Sequence, residues 1–152
     1  MLTYRVPQRE IQVVVHLKQA EPLPGFLFVP TDGPGGVPQR LSDRLLEPGD
    51  RFLALARDGE SHLIARDWIL RIEVLNAEES EREHDPGDGQ AHDVVCRLVD
   101  GSRLEGTLSF AMPAGRQRLL DYVNSVEGFV PLHTGGSLSL INQRHVVAWT
   151  GR

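Results

Sequence analysis

Apolar and polar positions alternate early in the chain. Val13, Val15 and Leu17 alternate with polar or less apolar neighbours, as do Leu23, Leu27 and Val29, with Gly25 in the same phase. A period of two predicts strands with one buried face. The pattern returns at Val94, Cys96 and Leu98, then at Leu104, Leu108 and Phe110, with Gly106 in phase. "DGSR" between these two runs reads as a hairpin turn, and a glycine inside each strand pattern predicts a bulge or sharp bend. Leu41, Leu45 and Leu46 in "RLSDRLL", and Leu119, Leu120 and Val123 in "RLLDYVNSV", have helical spacing. Pro48 with Gly49, and Gly128, stop these short helices. "FLAL" and "FVPL" read as strands, and "HLIARDWILRIEV" and "LSLINQRHVVAWT" each read as two strands broken by a polar turn.

The elements come in the same order twice. "VVVHLKQAEPLPGFLFV" lies over "VVCRLVDGSRLEGTLSF", pairing Val13 with Val94 and Gly25 with Gly106. The match continues through Arg40/Arg118, Asp43/Asp121, Phe52/Phe129 and Leu55/Leu132, and "LIARDWILRI" lies over "LINQRHVVAW". Length changes fall only in turn-like stretches, as loops allow. The expected organisation is an N-terminal extension (1–10), a first repeat (11–75), an acidic linker (76–92) and a second repeat (93–152). Gly25, Gly106, Arg40, Asp43, Arg118, Asp121, Phe52 and Phe129 are the shared positions expected to be structural. Arg and Asp three apart can pair on a helical turn.

"VVCRLVDGSRLEGTL" resembles the opening half of a Sm-like barrel, and "LINQRHVV" and "LIARDWIL" resemble the last two strands of that fold. The helical insert resembles one found in an uncharacterised family of small bacterial domains carrying Arg-Leu-Ser-Asp. The resemblance implies an all-β protein of two tandem Sm-like or SH3-like five-stranded barrels from an internal duplication. A lone barrel of this size buries only about 60% of its chain surface, so the two are expected to pack together about a pseudo-twofold axis. The resemblance would also imply an RNA site, but its middle loop is replaced here by the helix. The late turns read Arg66-Asp67 and Gln143-Arg144, without the expected Arg-Gly step. The fold is carried over and the RNA site is not.

Charge and candidate chemistry narrow the function little. A net charge of −5 weighs against a general polyanion binder, which needs a dense Lys/Arg surface. Cys96 is the single cysteine, so it makes no internal disulfide and is expected in the core. No apolar run is long enough to span a bilayer and the start lacks a signal-peptide core, so a cytoplasmic protein away from membranes is expected. None of the six histidines is shared between the repeats. His84, Asp85, Asp88, His92 and Asp93 have metal-ligand residue types, but their acidic, aperiodic surroundings read as a solvated linker. "TDGPGGVP" lacks the ending of a phosphate loop. Ser42, Asp43 and His62 supply the residue types of a triad and nothing more. Asp100 and Ser102 resemble part of a PilZ-type nucleotide site whose arginines are missing. No catalytic residue, metal or cofactor is assigned.

The expected function is therefore a non-catalytic protein-interaction or regulatory module, acting as monomer or homodimer, with another protein as partner. Trp68 and Trp149, if exposed, are its candidate interface residues. The alternative is RNA or nucleotide binding, which requires Arg97, Arg103, Arg116, Arg118 and Arg144 to cluster on one face.

Overall fold

A computed structural model describes residues 8–30, 40–45, 50–83, 90–110 and 118–152. In its first half β1 (Gln8–Leu17), β2 (Leu23–Pro30), α1 (Leu41–Leu45), β3 (Phe52–Arg57), β4 (Glu60–Ala65) and β5 (Ile69–Val74) follow in order. After α2 (Ala77–Arg82) the same series returns as β6 (Gln90–Leu98), β7 (Arg103–Phe110), α3 (Arg118–Ser125), β8 (Phe129–Thr134), β9 (Ser137–Asn142) and β10 (Val146–Gly151). A 3-10 turn separates β4 from β5 and another separates β9 from β10. The expected alternation is realised, since Val13, Val15, Leu27 and Val29 are buried, as are Val94, Cys96, Leu98 and Leu108. No helix among the described residues is long and apolar enough to cross a membrane.

Backbone hydrogen bonds beyond the ladders recur at matched positions. Arg66 N–H donates to Arg51 O and Gln143 N–H to Gly128 O, both at 2.9 Å. Lys18 N–H donates to Trp68 O and Val99 N–H to His145 O, while Leu75 N–H donates to Gln12 O and Arg152 N–H to Asp93 O. The hairpin turns match too. Asp58 and Gly59 in one half, and Gly135 and Gly136 in the other, all have positive φ, the backbone twist that two-residue hairpins favour.

Gly25 and Gly106 mark the corner of each half. A Cβ on Gly25 would lie 2.7 Å from Ala56 O, and one on Gly106 would be still closer to His133 O. These close approaches let β3 and β8 cross over β2 and β7, with one register pair each, Phe26 to Ala56 and Thr107 to His133. The ladders run through both glycines without a register shift; what leaves no room for a side chain there is the close approach of a crossing backbone.

The described strands do not close into two separate barrels. All ten described strands join one open sheet in the order β10-β6-β7-β8-β9-β5-β1-β2-β3-β4. The halves meet by antiparallel pairing of β5 with β9, Ile72 opposite Leu140 and Val74 opposite Leu138. A twofold contact would pair like with like, whereas here the fifth strand of one half meets the fourth of the other. Side chains interlock across this seam. Phe129, Leu138 and Leu140 enter the core of the first half, and Leu70 enters that of the second. Each such apolar side chain, fully buried, contributes about 1.5–3 kcal/mol.

The described part of the 76–92 segment, residues 76–83, departs from a solvated linker. It holds α2, and Glu79 and Glu83 in it are only 4% exposed. Arg9 grips Glu79 through Nε and Nη2. Ser42 N–H and Oγ–H donate to the two Glu83 carboxylate oxygens at 2.9 and 2.6 Å. Charge-assisted, two-pronged bonds offset the cost of burying these carboxylates, which composition alone cannot reveal.

Candidate interaction surface

The open sheet has two ends, β4 and β10. Strand ends leave unpaired N–H and C=O groups that can template a further strand. On β4, Leu63 is 68% exposed, and on β10, Val147 is 66% exposed. Their matched residues at the seam, Leu140 and Leu70, are 0% and 2% exposed. Matched apolar positions are thus covered where strands meet and bare where they do not.

Between the halves lies a cleft of about 590 Å³ lined by Arg66, Asp67, Phe129, Asn142, Gln143 and Arg144 among others. Polar contacts stitch it. Arg144 Nη1 donates to Asp67 Oδ1 at 2.7 Å, and His145 Nε2 lies at hydrogen-bond distance from Asp67 O. Asn142 Nδ2 donates to Ile69 O at 2.9 Å, and Arg71 Nη1 donates to Ser139 Oγ at 2.9 Å. Arg66 and Gln143 act alike. Arg66 reaches Leu45 O beside α1, and Gln143 Nε2 donates to Val123 O in α3 at 2.9 Å. Each late-turn side chain therefore ties its own helix to the sheet.

The sequence-nominated residues are dispersed. Trp68 is half exposed beneath Lys18, whose Nζ stands 5.2 Å from the ring centroid. Trp149 is partly buried, and its Nε1–H donates to Gln143 Oε1 at 2.9 Å. Phe129 is buried and Phe52 is 48% exposed. Arg40 is exposed ahead of α1 and Asp121 is half-buried in the first turn of α3. The side chains of Asp43 and Arg118, and with them the proposed Arg–Asp pairs, lie outside the described residues.

Several of the remaining candidates that are described make local contacts. Ser42 bonds Glu83, while His62 sits on β4 beside Glu60, 3.7 Å away. His92 stacks on Phe110 with centroids 4.1 Å apart; His84, Asp85, Asp88, "TDGPGGVP" and Arg116 lie outside the described residues. Burial pushes the Cys96 thiol up to about 12, the opposite of an activated thiol. Asp100 Oδ1 accepts from Ser102 N–H and Oγ–H at 2.9 and 2.6 Å, closing the β6–β7 turn. Of the basic candidates, Arg103 pairs with Glu105 at 2.9 Å and Arg144 with Asp67 at 2.7 Å. Arg97 stands opposite Arg103 in the ladder.

Sequence reasoning missed the two edges and the contacts of Asn142, Gln143 and His145. The available signal was the mismatch of Asn142 with Ala65, a polar residue facing an apolar one at matched positions in a strand. Comparison of the chain with protein-family models, with curated proteins and with solved structures returns no match.

Proposed function

We propose that the protein is a non-catalytic protein-interaction module built from two copies of one Sm-like or SH3-like unit, set head to tail. The observation that carries this reading is the pair of open edges, where Leu63 and Val147 are exposed although their seam counterparts are buried. The working surface is backbone hydrogen bonding plus a few apolar side chains, the chemistry by which a sheet edge takes a partner strand. The engagement of Ser42 with Glu83 and the raised thiol of Cys96 support a non-catalytic role. RNA or nucleotide binding ranks second, because Arg103 and Arg144 already face carboxylates and the net charge is −5.

The test is site-specific photo-crosslinking in the host cell. A photoreactive side chain at Leu63 or Val147 is expected to give discrete protein adducts, while one at Phe28, exposed on β2 away from either edge, gives none. Absence of adducts at both edge positions sinks the reading. Adducts to nucleic acid instead would move RNA binding to first place.

A further inference from the structure

The helix α2 is held in place by charge. Six residues are too few for a helix to persist alone in water, and a helix on a protein surface ordinarily turns an apolar stripe inward. Among the described side chains of residues 76–83, the buried ones are Glu79 and Glu83. Ala77, Glu78 and Glu81 are exposed. Carboxylates four positions apart share one face of a helix, so α2 presents a paired acid to the body of the protein.

The surface that receives it is a set of donors. Arg9, on β1, meets both carboxylate oxygens of Glu79, and Ser42, on α1, donates from N–H and Oγ–H to the two oxygens of Glu83. From β8, His133 Nε2–H donates to Ser80 O at 3.4 Å. The surface therefore draws on both halves, and α2 lies against the seam strands β5 and β9. Arg9 Nη1 also donates to Pro30 O at 3.2 Å, a bond that orients the guanidinium without help from α2. Duplication does not account for these donors. At the matched positions of the other repeat stand Gln90 for Arg9, Leu120 for Ser42 and Ala56 for His133.

We propose that the Arg9–Ser42–His133 surface is a docking site for an acidic helical segment of another protein, with two carboxylates four residues apart, and that α2 fills this site in cis. Charge complementarity selects the occupant. A preset guanidinium and the paired Ser42 donors fit two carboxylates, and they leave an apolar or basic segment with unpaired groups. α2 is built to let go. Leu75 N–H donates to Gln12 O at 2.9 Å and Gln12 N–H to Asn76 Oδ1 at 2.6 Å. These bonds pin the start of the segment to β1, so the helix can lift while β5 stays in its ladder. No described apolar side chain of α2 leaves a core when it does. A tethered segment competes at high effective concentration, so the site is masked until α2 is released.

The test is a binding titration on the full chain carrying Glu79→Gln and Glu83→Gln together, which keeps side-chain size and removes both charges from α2. The probe is a capped peptide of sequence NAEESERE, residues 76–83, locked as a helix by a bridge between its exposed positions 77 and 81. The double variant is expected to bind it at least about tenfold more tightly than wild type, whose own α2 competes. Adding Arg9→Gln should weaken binding about ten- to hundredfold, the span of a hydrogen bond to a charged group. A probe with glutamine at both buried positions should not bind. Equal binding by wild type and double variant overturns the proposal, as does binding indifferent to Arg9→Gln. A wild-type dimer lost on Glu79→Gln and Glu83→Gln would make a second copy the occupant, and overturns it too. If circular dichroism shows the double variant unfolded, amide exchange of wild type decides. Residues 77–83 should exchange through an opening that spares β1 and β5 and quickens with salt; α2 exchanging only together with β5 overturns the proposal. Adducts at 63 and 147 test the edges separately.

Discussion

The helices α1 and α3 hold the same place in the two halves but live in different surroundings. Leu41 and Leu45 of α1 are each 1% exposed. The helix lies against β8 of the other half, and Glu83 from the intervening segment holds its first turn. In α3, Leu119 and Tyr122 are half-buried and Leu120 is 56% exposed. Tyr122 stacks on Phe110 with centroids 4.4 Å apart, and Leu119 lies beside Gly151 at the end of β10. The difference follows position along the sheet more than local sequence. α1 sits at the seam, whereas α3 stands beside an open end.

The largest effect that can break this comparison is at the glycine corners. Gly106→Val and Gly25→Val drive side chains into His133 O and Ala56 O, and overpacking of this kind costs about 1–3 kcal/mol or more. Gly106, the tighter site, should lose more of its denaturant midpoint than Gly25. Equal losses would mean that the corners are equally tight. At the next level, Leu140→Ala at the seam should cost about 2–5 kcal/mol. Its counterpart Leu63→Ala, measured on dilute protein, should stay within about 0.5 kcal/mol. Equal effects would erase the distinction between seam and edge.

Glu83→Ala should lower stability by about 1–3 kcal/mol, because Ser42 loses a buried partner. Amide exchange should quicken in α1 and leave α3 unchanged. The Cys96 thiol gives a fourth test. Its folded pKa is raised from the ordinary 9.0 to about 12, so its contribution to stability is whole below 9.0 and lost as pH rises towards 12. Thiol reagents should therefore label the native protein slowly, and labelling should accelerate with denaturant. Fast labelling of folded protein would contradict a buried Cys96.

Asp100 offers the smallest effect. Burial acts to raise its carboxyl, but the Ser102 bonds and nearby Arg71 outweigh this and hold it below 3.8. That stabilisation is present above 3.8 and is lost as the pH falls through the lower folded value. Asp100→Asn should lower the thermal midpoint slightly at neutral pH, with the difference from wild type closing in acid.

Much of this protein was determined by its sequence alone. Period-two patterns at Val13–Val29 and Val94–Phe110 specify strands because one face must leave water. Asp58-Gly59 and Gly135-Gly136 specify tight hairpins because their backbone accepts positive φ. Matched residues announced that one element order is used twice. Three things were decided only by tertiary structure: the seam of unlike strands, the burial of Glu79 and Glu83, and the unequal fates of Leu63 and Leu140. Alternation says that a strand has a buried face and is silent on which strand lies at its side. An acidic stretch reads as solvated until a distant Arg9 or Ser42 supplies the partner that makes burial tolerable. Local pattern fixes which face of a strand leaves water; only the assembled sheet decides which edge is covered, because ladder hydrogen bonds form between backbones whatever the side chains.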